Sequence, residues 1–471
     1  MDKPRASRVQ EYTETTTTPP MVRAQGPNDP APSGAGLFWA AWLVSAAVCA
    51  ALLFVPGYPG DVVHYKYWTR LVTLGGIGAA YSGTYPETYA IYPPITLYAY
   101  GIVGLLYRLL VDPSFDVEAM LASQALSVGI KAVAITFHLA LGFAIYRLTR
   151  ARANGRVGAL TAALYLLNPA AIFDVAYWGQ PDAAHSLWAV LAFGLLDLGR
   201  DRAGAVAFGL AAMTKPQAWA LFPLFVYAAW LRTGRRRTVT GLALIALTAA
   251  VVALPFLLAG RLGDFLTLPE QIASTMPVAS AFAHNLWWLV TRGTEPLVFD
   301  REALIGLLSY RDVAGPMVLL VAAIGLWRLR RAPSDGLFLI AAYQAFGWFC
   351  LTTRAHENHA FFVLPLLAMA LPTVPWARVL FAGITLTLFL NMALHDPLLA
   401  PRLQALAAPD TLWRLQMANA SLNLLMLAGW TALLLRPSLG RLATHSGTIP
   451  VHRLIRGPAP RTGQSTAPSE R

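Results

Sequence analysis

Residues 37–70 read LFWAAWLVSAAVCAALLFVPGYPGDVVHYKYWTR, and this stretch decides the fold. Residues 37–55 hold no charge, and a bilayer needs roughly 17–25 apolar residues in a helix, so a membrane crossing is predicted there. Pro56, Gly57, Pro59 and Gly60 then break the helix. Polar sequence follows at once with Asp61, His64, Lys66 and Arg70, which places Asp61 at the mouth of the crossing, where the chain meets water beside lipid. Two roles are open to Asp61. Asp is a favoured N-cap for a helix opening at Val62, and a carboxylate in such a place can also take a proton.

Composition extends this reading to the whole chain. Its 471 residues are 56% hydrophobic and 13% charged, too apolar for a soluble globule and too lightly charged for disorder, so an all-α polytopic membrane protein is expected. The net charge of +12 lies in short clusters between apolar runs rather than on one face, which makes it a topology signal and excludes a nucleic-acid partner. Cys49 and Cys350 both sit inside apolar runs, so neither a disulfide framework nor a thiolate metal site is available. Residues 1–36, rich in Thr, Pro and Arg, read as a disordered cytoplasmic tail, residues 37–435 as the transmembrane domain, and residues 436–471 as a basic cytoplasmic tail.

Apolar runs near 37–55, 125–146, 157–173, 183–199, 239–259, 313–327, 335–352, 359–374, 377–394 and 417–435 are predicted crossings, with two more squeezed into 203–231. The arginine clusters 147–156, 200–202, 232–237 and 328–331 are assigned to the cytoplasm. Residues 94–111 are apolar enough to cross, yet a crossing there would invert every later loop; they are expected as a juxtamembrane or re-entrant helix in the first external loop. About twelve crossings result, with both termini inside. The unexplained polar sequence then gathers on the external side, as an active site would require.

Three constellations stand out. Asp174 and Asp182 flank Tyr177-Trp178-Gly179-Gln180 in a tight external turn; Asp182 also suits a helix N-cap and Trp178 an interface anchor. Residues 203–213 as a helix rise only about 16 Å against about 30 Å of hydrocarbon, so Lys215-Pro216-Gln217 is predicted below the outer surface. A Lys at that depth is costly unless it lines a wet cavity or meets an anion such as a lipid-linked phosphate. Arg354, with a forked donor suited to phosphate, stands two residues before His356 and three before Glu357, which can orient His356 or answer Arg354. His356 and His359 have zinc-like spacing but no third ligand, so no metal is expected. In the 260–312 loop His284 is a candidate substrate contact, while Trp287 and Trp288 read as interface packing.

Gly60-Asp61 with Tyr65 and Trp68, Tyr92-Pro93-Pro94, Trp178-Gly179-Gln180 with Asp182, Lys215-Pro216-Gln217, and Arg354 with His356 and Glu357 resemble the GT-C superfamily of integral-membrane glycosyltransferases. The likeness runs from about residue 37 to 435. In particular they resemble its polyprenol-phosphate-sugar-dependent mannosyl- and glucosyltransferases, a family 87-like group. The resemblance implies Asp61 as catalytic base, Lys215, Arg354 and His356 on the donor phosphate, and Tyr65, Trp68, Asp174, Gln180, Asp182, Gln217, His284 and Glu357 in substrate-binding or supporting roles. It implies an inverting transfer of a hexose, mannose first, from a polyprenyl-phosphate carrier to a glycolipid, polysaccharide or protein acceptor on the external face of the plasma membrane. No cofactor is implied. Many relatives carry two adjacent acidic residues in the first loop, whereas Val62 follows Asp61 here, which argues against a metal-dependent mode. The rival reading is a secondary transporter of a sugar or organic anion; such proteins place ionisable groups between repeat-related halves, and no internal repeat is legible.

Overall fold

The computed structural model describes residues 34–82, 90–294, 296–331 and 336–436. The two tails expected at 1–36 and 436–471 lie, but for their innermost residues, outside these. The helices include, in chain order, α1 (Ala35–Leu52), α2 (Pro59–Gly75), α3 (Pro94–Leu110), α4 (Gln124–Arg152), α5 (Gly155–Leu166), α6 (Asp182–Asp197) and α7 (Asp201–Ala212). They continue with α8 (Phe222–Thr233), α9 (Arg235–Leu258), α10 (Leu268–Ser274), α11 (Tyr310–Arg331), α12 (Leu337–Leu351), α13 (Ala377–Ala393) and α14 (Thr411–Leu435). Strand structure among the described residues amounts to one small antiparallel pair, Ala303–Ile305 with Leu308–Ser309.

By length and composition α1, α4, α9, α11 and α14 can each cross a membrane, and α5 with Pro169–Trp178, bent by 52°, makes a sixth if the pair counts as one broken span. Much of their apolar surface faces outward: Leu247, Val251 and Leu257 of α9 are more than half exposed, an arrangement stable only against lipid. The other expected crossings fold as shorter helices. Inside, a large core joins α4, α5, α6, α7 and α12. A second, rich in aromatic residues, lies between α2, α3 and the beginning of α4.

The chain between α1 and α4 leaves and returns to one place. Gln124 Nε2 at the start of α4 donates to Phe54 O just past α1 at 3.1 Å, and Lys131 Nζ donates to Leu52 O and Val55 O at 2.7 Å each. The segment therefore makes no net crossing. The helix expected beside the membrane at 94–111 is the 17-residue apolar α3, and the polar α2 precedes it. It packs along α2, where Gly101 and Gly104 let Val72 and Thr73 approach its backbone. At the far ends of the helices, Asp197 of α6 accepts from Arg152 of α4 at 2.7 Å and from Arg232 of α8 at 2.5 Å. This knot of basic residues and the Asp61 region thus occupy opposite ends of the helical body.

Several sequence expectations are corrected. Asp61 does not cap a helix at Val62: α2 begins at Pro59, its N-cap is Tyr58, and Asp61 already lies within the first turn. Asp182 opens α6 without a side-chain capping bond. Trp178, Trp287 and Trp288 are not interface anchors but core residues at most 2% exposed. Two of them find internal acceptors for their indole N–H, Asp396 Oδ2 for Trp178 and Leu351 O for Trp287, both at 2.8 Å.

Candidate active site

Two glycines place the first functional side chains. Gly57 adopts φ +86°, a left-handed conformation that leaves Tyr58 N pointing to Trp178 O at 3.0 Å, and a Cβ on Gly57 would come within 2.9 Å of that same carbonyl oxygen. The start of α2 is thereby pinned to the residue two before Gln180. Phe173–Trp178 is a short π-helix, an arrangement often found at functional sites, and Gly179 ends it at φ +85°. The chain reverses there, and Gln180 N returns to Asp174 O at 3.0 Å. As a result Gln180 Nε2 donates to Asp61 Oδ2, while Gln180 Oε1 accepts from Tyr65 OH at 2.7 Å. Tyr65 OH lies 3.3 Å from Tyr92 OH. A row of neutral polar groups thus fixes the Asp61 carboxylate without neutralising it.

Asp61, Tyr92 and Gln180 face Arg354, His356 and Glu357 across a cavity of about 620 Å³. The rest of its lining is largely apolar, with Trp219 and Pro223 at the start of α8, Val318 and Leu319 of α11, and Trp348 of α12. Pro269 and Ile272 of α10 line it as well. Its polar side chains suit a charged headgroup and its apolar ones an apolar chain.

Electrostatics distinguish the groups. Burial raises Asp61 above the ordinary carboxylate range; the Gln180 hydrogen bond and the charge of Lys215 pull it back. Glu357, 4% exposed, is pushed up to about 8 by burial and then by the charge of Asp61. The His356 ring is a third open to the cavity, yet the surrounding protein lowers it to about 4, so it is neutral. Arg354 adopts φ +64°, unusual for a residue with a side chain and a sign of a constrained position. Its Nε donates to Asp300 Oδ2 at 2.6 Å and its Nη1 to Ala273 O. Nη2 has no hydrogen-bond partner among the described residues.

Not every expected site residue reaches the cavity. Lys215 is buried at the predicted helix break, but its Nζ lies 2.6 Å from Asp182 Oδ1 and 5.1 Å above the Tyr92 ring; it forms an internal ion pair rather than a cavity wall. Asp182 Oδ2 accepts from Asn358 Nδ2 at 2.7 Å. Asp174 lies behind the cavity, fully buried, with neither carboxyl oxygen hydrogen-bonded. Gln217 lines the cavity and its Oε1 has no partner. Trp68 packs edge-on against Tyr92 outside the cavity. His284, expected against substrate, instead bonds Asn391, Asn419 and His395 around the ends of α13 and α14. His359 Nδ1 accepts the backbone N–H of His356 at 3.2 Å, which accounts for the His-x-x-His spacing. Among the described residues no three His, Cys, Asp or Glu side chains converge as metal ligands would. Asp300 was missed by sequence reasoning because it lies in a long loop without periodicity; Asn358 stood in the 354–359 polar cluster, but its bond to Asp182 had no sequence signal.

No protein-family model matches the chain, and no curated protein matches it in sequence. Among solved structures it is similar to the oligosaccharyltransferase of Archaeoglobus fulgidus in the apo form, at 14% identity and a TM-score of 0.41, over 84% of this chain and 55% of that one. It is also similar to ArnT from Cupriavidus metallidurans bound to undecaprenyl phosphate, at 15% identity and a TM-score of 0.45, over 84% of this chain and 76% of that one. The chain spans about half the length of the archaeal enzyme.

Proposed function

We propose that this protein is an inverting membrane glycosyltransferase of the GT-C type, using a polyprenyl-phosphate sugar as donor. The observation that carries the reading is the cavity itself: the half-buried Asp61 carboxylate held by Gln180, Arg354 and a neutral His356 in the same lining, and apolar side chains of α8 and α11 making much of the rest. In this scheme Asp61 takes the proton of the acceptor hydroxyl as its oxygen attacks the anomeric carbon. The bond from the anomeric carbon to the phosphate oxygen breaks, and a lipid monophosphate leaves. Its developing charge falls to Arg354 and His356. A single displacement inverts the anomeric centre.

Lys215 keeps a supporting part, because its charge is spent on Asp182 and reaches Asp61 only at a distance. A hexose is the proposed sugar, mannose by resemblance, and a glycolipid, polysaccharide or protein the acceptor. The site would face the external side of the plasma membrane. Incubating the purified full chain with a panel of polyprenyl-phosphate sugars tests the reading. Release of polyprenyl phosphate that depends on an acceptor supports it, and no release from any donor sinks it.

A further inference from the structure

We propose that Glu357 is a hydrogen-bond donor to the substrate's phosphate: its carboxyl keeps its proton in the resting site, offers that O–H to a phosphate oxygen, and makes phosphate binding depend on the proton it holds. This rests on the reading of the cavity as a phosphate site.

The geometry leaves Glu357 no other part. Its side chain lines the cavity, is almost wholly buried, and has an Oε2 atom with no hydrogen-bond partner. The nearest ring nitrogen, His356 Nδ1, is 3.8 Å away, beyond hydrogen-bond reach. A carboxylate buried in this way, with nothing donating to Oε2, would carry a large desolvation cost, whereas a carboxylic acid is an O–H waiting for an acceptor.

The groups around it agree. Asp61 faces it from α2, and Tyr58 stands just before that helix; the negative charge of Asp61 opposes ionisation of both. His356, next in the chain, is neutral at physiological pH. Against these, its own backbone N–H and then Lys215 favour an ionised Glu357, and Lys215 is held at 2.6 Å by Asp182. Among the described residues lining the cavity Arg354 is the one Lys or Arg, and Asp300 already answers it at 2.6 Å. An ionised Glu357 beside Asp61 would therefore present a phosphate with a negative wall. Protonated, it adds a donor beside Arg354. During transfer no proton need leave it: the acceptor's proton goes to Asp61, and the Glu357 O–H strengthens its bond to the departing phosphate as charge grows there.

The test is binding of farnesyl phosphate to the detergent-solubilised full chain between pH 7.5 and 9.5. A phosphate monoester has its second pKa near 6, so the ligand stays doubly charged across this window. If only the protonated site binds, the apparent Kd rises by about 25-fold from pH 7.5 to 9.5, following the fraction still protonated. Glu357→Gln, which keeps an N–H donor and cannot ionise, binds with a Kd that is flat over the window, while Asp61→Asn still shows a rise of Kd with pH, beginning at lower pH because the Asp61 charge no longer raises Glu357. A flat wild-type profile, or a slope that persists in Glu357→Gln, overturns the proposal. Absence of farnesyl phosphate binding at any pH overturns the phosphate reading beneath it.

Discussion

Lys215 Nζ and Asp182 Oδ1 lie 2.6 Å apart with both side chains 2% exposed, so a full ion pair is buried behind the cavity that holds Asp61. Removing one partner of such a pair leaves a charge without compensation. Lys215→Met or Asp182→Leu alone is expected to destabilise the protein by roughly 3–5 kcal/mol, while the double variant recovers most of the loss. Thermal unfolding of the three variants in detergent checks this. If Lys215 instead served the donor phosphate directly, Lys215→Met would leave stability near wild type and lose donor affinity alone.

Arg354 is paired with Asp300 yet keeps Nη2 without a partner, so it can bind phosphate without giving up its own anchor. Arg354→Lys is expected to restore little of what Arg354→Ala loses, because an ammonium cannot bond Asp300 and the phosphate in the same forked geometry. The loss should correspond to a charge-assisted hydrogen bond, roughly 1.5–3 kcal/mol in donor affinity. Donor titrations of both variants measure it, and a fully restored Lys variant would contradict the forked contact.

How far the sequence led depended on whether the signal was local. The break at Lys215-Pro216 was legible because two crossings do not fit between Arg202 and Arg232 at full length, and α7 does stop at Ala212. Asp61 was legible because it follows a complete apolar span. The partners were not. Arg354 and Asp300 meet from 54 residues apart, and Asp182 and Asn358 from 176, contacts that no spacing encodes. The tryptophans misled because an indole suits an interface and an interior equally until the acceptor of its N–H is known. His284 misled because its polar neighbours, Asn391, Asn419 and His395, come from segments far along the chain.

The tether of Gln124 to Phe54 predicts an accessibility pattern. Single cysteines in a background lacking Cys49 and Cys350, placed at Pro113 and in the 56–60 turn, should be labelled from the same side. A cysteine at Gly234 should be labelled from the opposite one, where Arg232 and Asp197 lie. Labelling of the Pro113 position from the Gly234 side would make α3 a true crossing and break the proposed topology.

Glu357 also predicts how stability varies with pH. Its folded pKa, about 8, stands above the ordinary value of 4.5, so between these limits the native state holds a proton that the unfolded state has released. The stabilisation from this group is full below about pH 4.5 and is lost as pH rises through about 8. Glu357→Gln removes the dependence. The variant's melting temperature should therefore gain on the wild type's as pH goes from 5 to 8, and a constant difference would show that Glu357 is ionised in the folded protein.

Asp61 carries the sharpest prediction, because its alternative role as a helix cap is gone: Tyr58 holds the cap position, and the Asp61 carboxylate accepts from Gln180 instead of backbone N–H groups. Asp61→Asn keeps the shape and can still accept through its amide oxygen from Gln180, so folding and donor binding should survive. The base is lost, and transfer should fall by roughly 10²–10⁴-fold. Gln180→Ala should act more mildly, since it frees the carboxylate to turn away without removing it. Asp61→Glu should be poor as well, because one added methylene pushes the carboxylate past the position that Gln180 and Tyr65 define. Transfer rates measured beside thermal stability for Asp61→Asn separate the outcomes, and a stable variant with wild-type transfer would end the role of Asp61 as base.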